Sequence, residues 1–154
     1  LAQGLLAPRV LTVALFDSEA ELWLERANLS RTVAVPGSFS PLRCNPVGTH
    51  CLVVTGMGTA NATATLMALG LSERLDLRSS YVLVAGIAGV DPKMGTLGSA
   101  AWAEWVVDGD LAHEIDPREL PANRDYPFSR LGCAAGWCDE GWSAGTEVFH
   151  LNPA

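Results

Sequence analysis

Residues Val53 to Ala62, VVTGMGTANA, run from an apolar strand through a Gly-rich turn into a helix. Upstream, His50 to Thr55 (HCLVVT) reads as a buried strand. Gly56 to Gly58 turns the chain. Downstream, TANATATLMALGLSERL reads as helix, with Thr59 or Asn61 as its cap and Gly70 weakening its far end. A strand, a tight turn and a helix in that order make an α/β unit, so the search for fold class starts here.

The same pattern recurs on both sides. Arg9 to Phe16 (RVLTVALF) is a continuous apolar run, predicting a strand buried on both faces. Asp17 to Glu21 follows; Ser18 and Glu21 fit a capping box, and Leu22, Trp23, Glu25, Arg26 and Leu29 continue at helical spacing. Thr32 to Val35 predicts a short strand stopped by Pro36-Gly37, and a loop with Pro41 and Pro46 follows. Tyr81 to Ala85 (YVLVA) predicts another buried strand, followed by GIAGVDPKMGTLGS. The segment AAWAEWVVDGDL begins as strand and ends in an acidic loop. Beyond Pro117 the periodicity dissolves, so residues 117–147 are expected to be a loop-rich excursion. Alternating strands and helices give an α/β layered sheet within one domain spanning residues 1–154.

Composition narrows the function classes. The chain has 154 residues, 49% hydrophobic and 18% charged, which suffices for one sizeable core. Its mean hydropathy is +0.21. Seventeen acids against ten bases leave a net charge of −7, and no basic run occurs, so nucleic acid is rejected as a partner. The most apolar region, Tyr81 to Val107, is broken by Gly86, Gly89, Asp91, Pro92, Lys93, Gly95 and Gly98, so no membrane span is expected. Four cysteines, Cys44, Cys51, Cys133 and Cys138, allow three disulfide pairings or none, and no Cys-x-x-Cys is present. The location stays open between a secreted, periplasmic or surface setting and the cytoplasm.

Three blocks carry a resemblance: TGMGTANATATLMAL, YVLVAGIAGVDPKMGTLGSAAWAEWVVDGDLAHEIDPRELP and the closing GTEVFHLNPA. They resemble the purine nucleoside permease family, from about Arg9 to the last residue. That family is similar to the nucleoside phosphorylases and nucleosidases. The resemblance implies a three-layer α/β/α nucleoside-phosphorylase-like fold with a mixed central sheet, here incomplete, because family members are longer than this chain. It implies a purine nucleoside as partner, no cofactor and no metal, and subunits paired around the site in a homo-oligomer. Base preference would lie in the part not present.

Residue by residue, the resemblance places Glu19 where related nucleosidases hold a Glu that activates water. A carboxylate there stabilises oxocarbenium-like charge on the ribose, so Glu19 is the candidate catalytic residue for N-glycosidic cleavage; without the resemblance it reads first as an acid in the first turn of a helix. Gly56 and Gly58 frame the site. They do not make a dinucleotide fingerprint, because Asn61 stands where the third Gly is required, and no phosphate-loop Lys follows. Gly86, Ile87, Ala88 and Gly89 match the turn that lines ribose and base. The phosphorylases use an Arg and a Ser there, and this chain has Val84 and Ile87; phosphate is therefore a doubtful partner and hydrolysis is favoured over phosphorolysis. The acidic run DGDLAHEIDPRE offers His113 and Asp116 as ribose contacts, although its spacing also suits a solvated loop. The main expectation is nucleoside cleavage. The alternatives are a nucleoside-binding component of purine nucleoside uptake, and a fragment without activity.

Overall fold

The computed structural model describes residues 5–110, 112–120, 122, 127–130 and 148–151. The chain forms two compact units, Leu1–Asp91 and Pro92–Ala154. Among the described residues it is mixed α/β, with a mixed five-stranded sheet and two α-helices.

In the first unit, β1 (Val10–Ala14) leads into α1 (Asp17–Arg26) and then β2 (Arg31–Val33), β3 (Leu42–Cys44) and β4 (His50–Val54). Helix α2 (Thr59–Gly70) follows, and then β5 (Tyr81–Val84). The sheet order is β2-β3-β4-β1-β5. Strands β4, β1 and β5 are parallel, with Val10 opposite both His50 and Tyr81, while β3 is antiparallel to both of its neighbours.

Side-chain alternation along β1 and β4 supplies two cores. Leu11 and Val13 of β1 join Cys51 and Val53 of β4 and Leu69 of α2 on one face. Ala14, Leu52 and Val54 meet Ala20 of α1 and Leu29 on the other, with Trp23, Leu24 and Ala27 packed against them. The α1 contacts fall at 20, 23, 24 and 27, the i, i+3, i+4, i+7 stripe of an amphipathic helix. The run RVLTVALF is continuous because both of its faces are covered. Each Leu so buried contributes about 2 kcal/mol relative to an exposed one.

The helix ends are set locally. Asn28 takes φ +50°, the left-handed conformation that Asn tolerates. Its amide donates to the Glu25 carbonyl and the Leu29 amide to the Leu24 carbonyl, closing α1 in a Schellman motif. The start differs from expectation. The N-cap is Phe16, with no side-chain cap bond, so the Ser18–Glu21 capping box does not form. Neither Thr59 nor Asn61 caps α2, whose N-cap is Gly58. Gly70 does end that helix.

Two further expectations are corrected. The loop around Pro41 contains β3, which hydrogen-bonds to β2 and β4 and so enlarges the sheet. Strand β5 is not buried: Tyr81, Val82 and Val84 are 73%, 57% and 66% exposed, and neither apolar cluster of the first unit includes a β5 residue. Its apolar run satisfies the pattern of a covered strand without the cover.

Cys44 and Cys51, register partners on β3 and β4, form a disulfide within the buried core. Cys133 and Cys138 lie outside the described residues. Near the start of β4, His50 Nε2 lies 2.9 Å from the buried Thr12 hydroxyl, and the His50 ring meets Trp23 edge-on. Burial holds the imidazole pKa below its ordinary value.

In the second unit, β6 (Trp105–Val107) falls in the middle of AAWAEWVVDGDL, ahead of its acidic end rather than at its start, and β7 (Ala112–Glu114) comes next. Strand β8 (Phe128–Arg130) pairs antiparallel with β7, and β9 (Val148–His150) pairs antiparallel with β6. Trp105 stacks on His150 with ring centroids 4.1 Å apart. Among the described residues no helix is long and apolar enough to cross a membrane.

Replacing Cys44 and Cys51 together by Ala should lower stability by about 2–4 kcal/mol, the usual effect of removing such a cross-link. A fall in the guanidinium midpoint would record it, and an unchanged midpoint would contradict it.

Candidate functional site

Parallel pairing brings three carboxyl ends to one edge of the sheet. The Thr55 amide donates to Ala14 and the Ala85 amide to Val13, so the ladder continues to the last residues of β4, β1 and β5. The segments that leave those strands, 15–19, 55–58 and 85–88, therefore emerge side by side. In open α/β sheets the crevice outside such carboxyl ends is where ligands bind.

Glu19 ties two of these segments together. It is the third residue of α1, and its Oε2 accepts from the Leu15 amide at 2.7 Å. Its Oε1 accepts from the Ile87 amide, 68 residues away, at 2.9 Å. A Cβ on Gly86 would lie 3.2 Å from that same oxygen, so glycine lets the turn close onto the carboxylate. Carboxylate–amide bonds are stronger than neutral ones, and the first turn of a helix favours the negative charge. Each oxygen keeps a lone pair for a further donor. The carboxylate is thus a bracket between the ends of β1 and β5, with capacity left over for a ligand hydroxyl.

The Gly-rich turn after β4 is held from several sides. Gly56 and Gly58 take φ +79° and +91°, where glycine is favoured. Asn61, in the position that a dinucleotide fingerprint gives to glycine, donates from its side-chain amide to the Met57 carbonyl at 2.8 Å. It locks the turn rather than opening it to a pyrophosphate. Thr55 and Thr65 are buried, and the Thr65 hydroxyl donates to the Thr55 carbonyl at 3.3 Å.

Of the candidates, Glu19, Gly56, Gly58, Gly86 and Ile87 fall on this edge, and Ala88 and Gly89 continue the same segment. Among the described residues, and apart from their chain neighbours, no atom lies within 4 Å of where a Gly89 or Gly58 Cβ would sit, so both border open space. His113 and Asp116 belong to the second unit. His113 pairs with Ser129 in the β7–β8 ladder. Asp116 caps the single 3-10 turn Pro117–Glu119, and its carboxylate accepts from the Arg118 amide and guanidinium. That guanidinium, followed by the amide bond, holds the Asp116 pKa below the usual carboxylate range.

One residue at the edge escaped the sequence reading. The Phe39 ring lies against Gly56, where an added Cβ would come within 3.0 Å of two ring carbons. The only signal was an isolated aromatic in the Pro- and Gly-rich segment PGSFSP, which by itself reads as loop.

The family model for purine nucleoside permeases matches residues 7–154. A probable purine nucleoside permease of Schizosaccharomyces pombe is 38% identical over 120 residues, covering 75% of this chain and 34% of that protein. A purine nucleoside permease of Candida albicans is 28% identical over 157 residues, covering 94% of this chain and 37% of its own length. The chain thus spans about a third of the length of these curated relatives. No solved structure matches it. The relatives' names denote transport, and they overturn the expectation of N-glycosidic cleavage, hydrolytic or phosphorolytic. Glu19 keeps its place at the edge but loses the reaction first attached to it.

The bracket makes a direct prediction. Glu19→Ala should speed hydrogen exchange of the Leu15 and Ile87 amides by about tenfold, leaving the Leu52 and Val53 amides protected. Unchanged exchange at Ile87 would show that the carboxylate does not hold that turn in solution.

Proposed function

The chain belongs to the purine nucleoside permease family, and from that premise we propose that it contributes a purine-nucleoside-binding site to nucleoside uptake, without chemistry on the nucleoside. The observation that carries this reading is the Glu19 carboxylate, fixed by two main-chain amides at the carboxyl edge of the parallel strands. The vicinal hydroxyls of a ribose are donors that suit its remaining lone pairs. The segment from Gly86 to Gly89, with small residues at three of its four positions, allows close approach of a sugar to the backbone. Nothing in this arrangement calls for phosphate: Val84 and Ile87 offer it neither charge nor side-chain donor.

The finer fold reading belongs to the same proposal. Helices on opposite faces of a mixed sheet suit a nucleoside-phosphorylase-like three-layer arrangement. In this reading the fold is kept as a binding scaffold, a common fate of α/β folds. The buried Cys44–Cys51 disulfide favours an oxidising setting, such as the cell exterior where a nucleoside is first met.

Isothermal titration of the native-length protein with inosine, adenosine and guanosine tests the proposal. Saturable binding is expected, with each nucleoside recovered intact and no need for added phosphate. Glu19→Ala should weaken binding by about tenfold or more, the cost of losing a hydrogen bond to a charged acceptor. Absence of binding, or release of free base, would refute the reading.

A further inference from the structure

Phe39 is exposed yet firmly held, an uncommon combination for a large apolar side chain in a loop. The residue is 63% accessible. Its amide donates to the hydroxyl of buried Thr65 in α2 at 3.2 Å. The next residue, Ser40, donates from its hydroxyl to the Val54 carbonyl at 2.8 Å and accepts from the Val54 amide at 3.1 Å. One serine side chain thus occupies both main-chain groups of the last residue of β4. Residues 39 and 40 are pinned to that strand end and to α2, and the ring is seated on Gly56.

Gly56 makes this seating possible. Any other residue there would bring its Cβ to 3.0 Å from two ring carbons and 3.2 Å from a third. It would also have to adopt φ +79°, which side chains disfavour. The ring therefore has one part against a bare backbone and the remainder open to solvent. A flat aromatic surface, fixed beforehand and hydrated, is what a planar heterocycle stacks on. Met57, the next residue after Gly56 in the turn, is 69% exposed and offers a polarizable side chain that adapts to its contacts.

The position fits the ligand's shape. Strands β4 and β5 flank β1, so the ends of β4 and β5 are two inter-strand spacings apart, about 10 Å. Gly56 stands at the first end and the Glu19 bracket joins the ends of β1 and β5, one to two spacings or about 5–10 Å away, a span suited to a base at one side and its sugar at the other.

We infer that Phe39 is the stacking platform for the purine base, with Gly56 as its seat. The inference rests on the proposed nucleoside site and adds to it the residue that reads the base. Affinity should follow the ring at position 39. In titrations of the native-length protein with inosine, Phe39→Leu should weaken binding about tenfold, within the range for losing one stacked base. Phe39→Tyr should stay within about twofold of the wild type. The melting temperature of the ligand-free Leu variant separates stacking from a structural effect, and it should change little.

Equal inosine affinity in the wild type and Phe39→Leu would overturn the inference and leave the site proposal standing. A Tyr variant as weak as the Leu variant would overturn it too, since a stacking ring would still be present. If the wild type binds no nucleoside at all, the inference and the site reading fall together.

Discussion

Strand β1 is enclosed on all four sides: strands on both edges and apolar clusters on both faces. That enclosure is the constraint from which the first unit follows. Its amides and carbonyls are consumed by β4 and β5, which both run parallel to it and end beside it. Three chain exits are forced to one edge, and whatever recognises a ligand there is drawn from segments far apart in sequence. The Glu19 carboxylate crosses this edge directly, and the Phe39 ring closes it at the β4 side.

How much of this was legible depends on which physical rule each residue obeys. The run RVLTVALF announced a doubly covered strand, and it is one. YVLVA carries the same signal, yet Tyr81, Val82 and Val84 are exposed, because an apolar run records a strand's preference and not whether something covers it. Strand β3 was invisible: Leu42-Arg43-Cys44 is too short for periodicity, and its place comes from pairing on both edges and from the bond to Cys51. The choice among three cysteine pairings was likewise open until register put Cys44 opposite Cys51.

The candidate site was readable only as an expectation. Glu19 and the turns at 56–58 and 86–89 were named from resemblance to known proteins, and five of those residues lie along one sheet edge. The partners of Glu19 were not readable, since they are main-chain amides, which carry no sequence signature. Phe39 was missed for the opposite reason: its side chain is conspicuous, but its meaning depends on Gly56, seventeen positions on, and on Thr65 beyond that. Function was misjudged where analogy outran residues. A carboxylate after the first strand suits water activation, but its chemistry suits other hydrogen-bonding roles equally well, and the relatives' names denote transport rather than cleavage.

The outer edge of β5 has one more consequence, for how the protein behaves in concentrated solution. Strand edges with unpaired main-chain groups act as templates for other strands, and many proteins blunt them with lysine, proline or a bulge. Residues Tyr81 to Val84 contain neither lysine nor proline, and they are β-branched or aromatic at three of four positions. Where nothing covers it, such a segment invites strand-on-strand aggregation, and the net charge of −7 on these 154 residues opposes it. Colloidal stability should therefore be lost soonest near the isoelectric point of about 4.8, or in salt high enough to screen that charge.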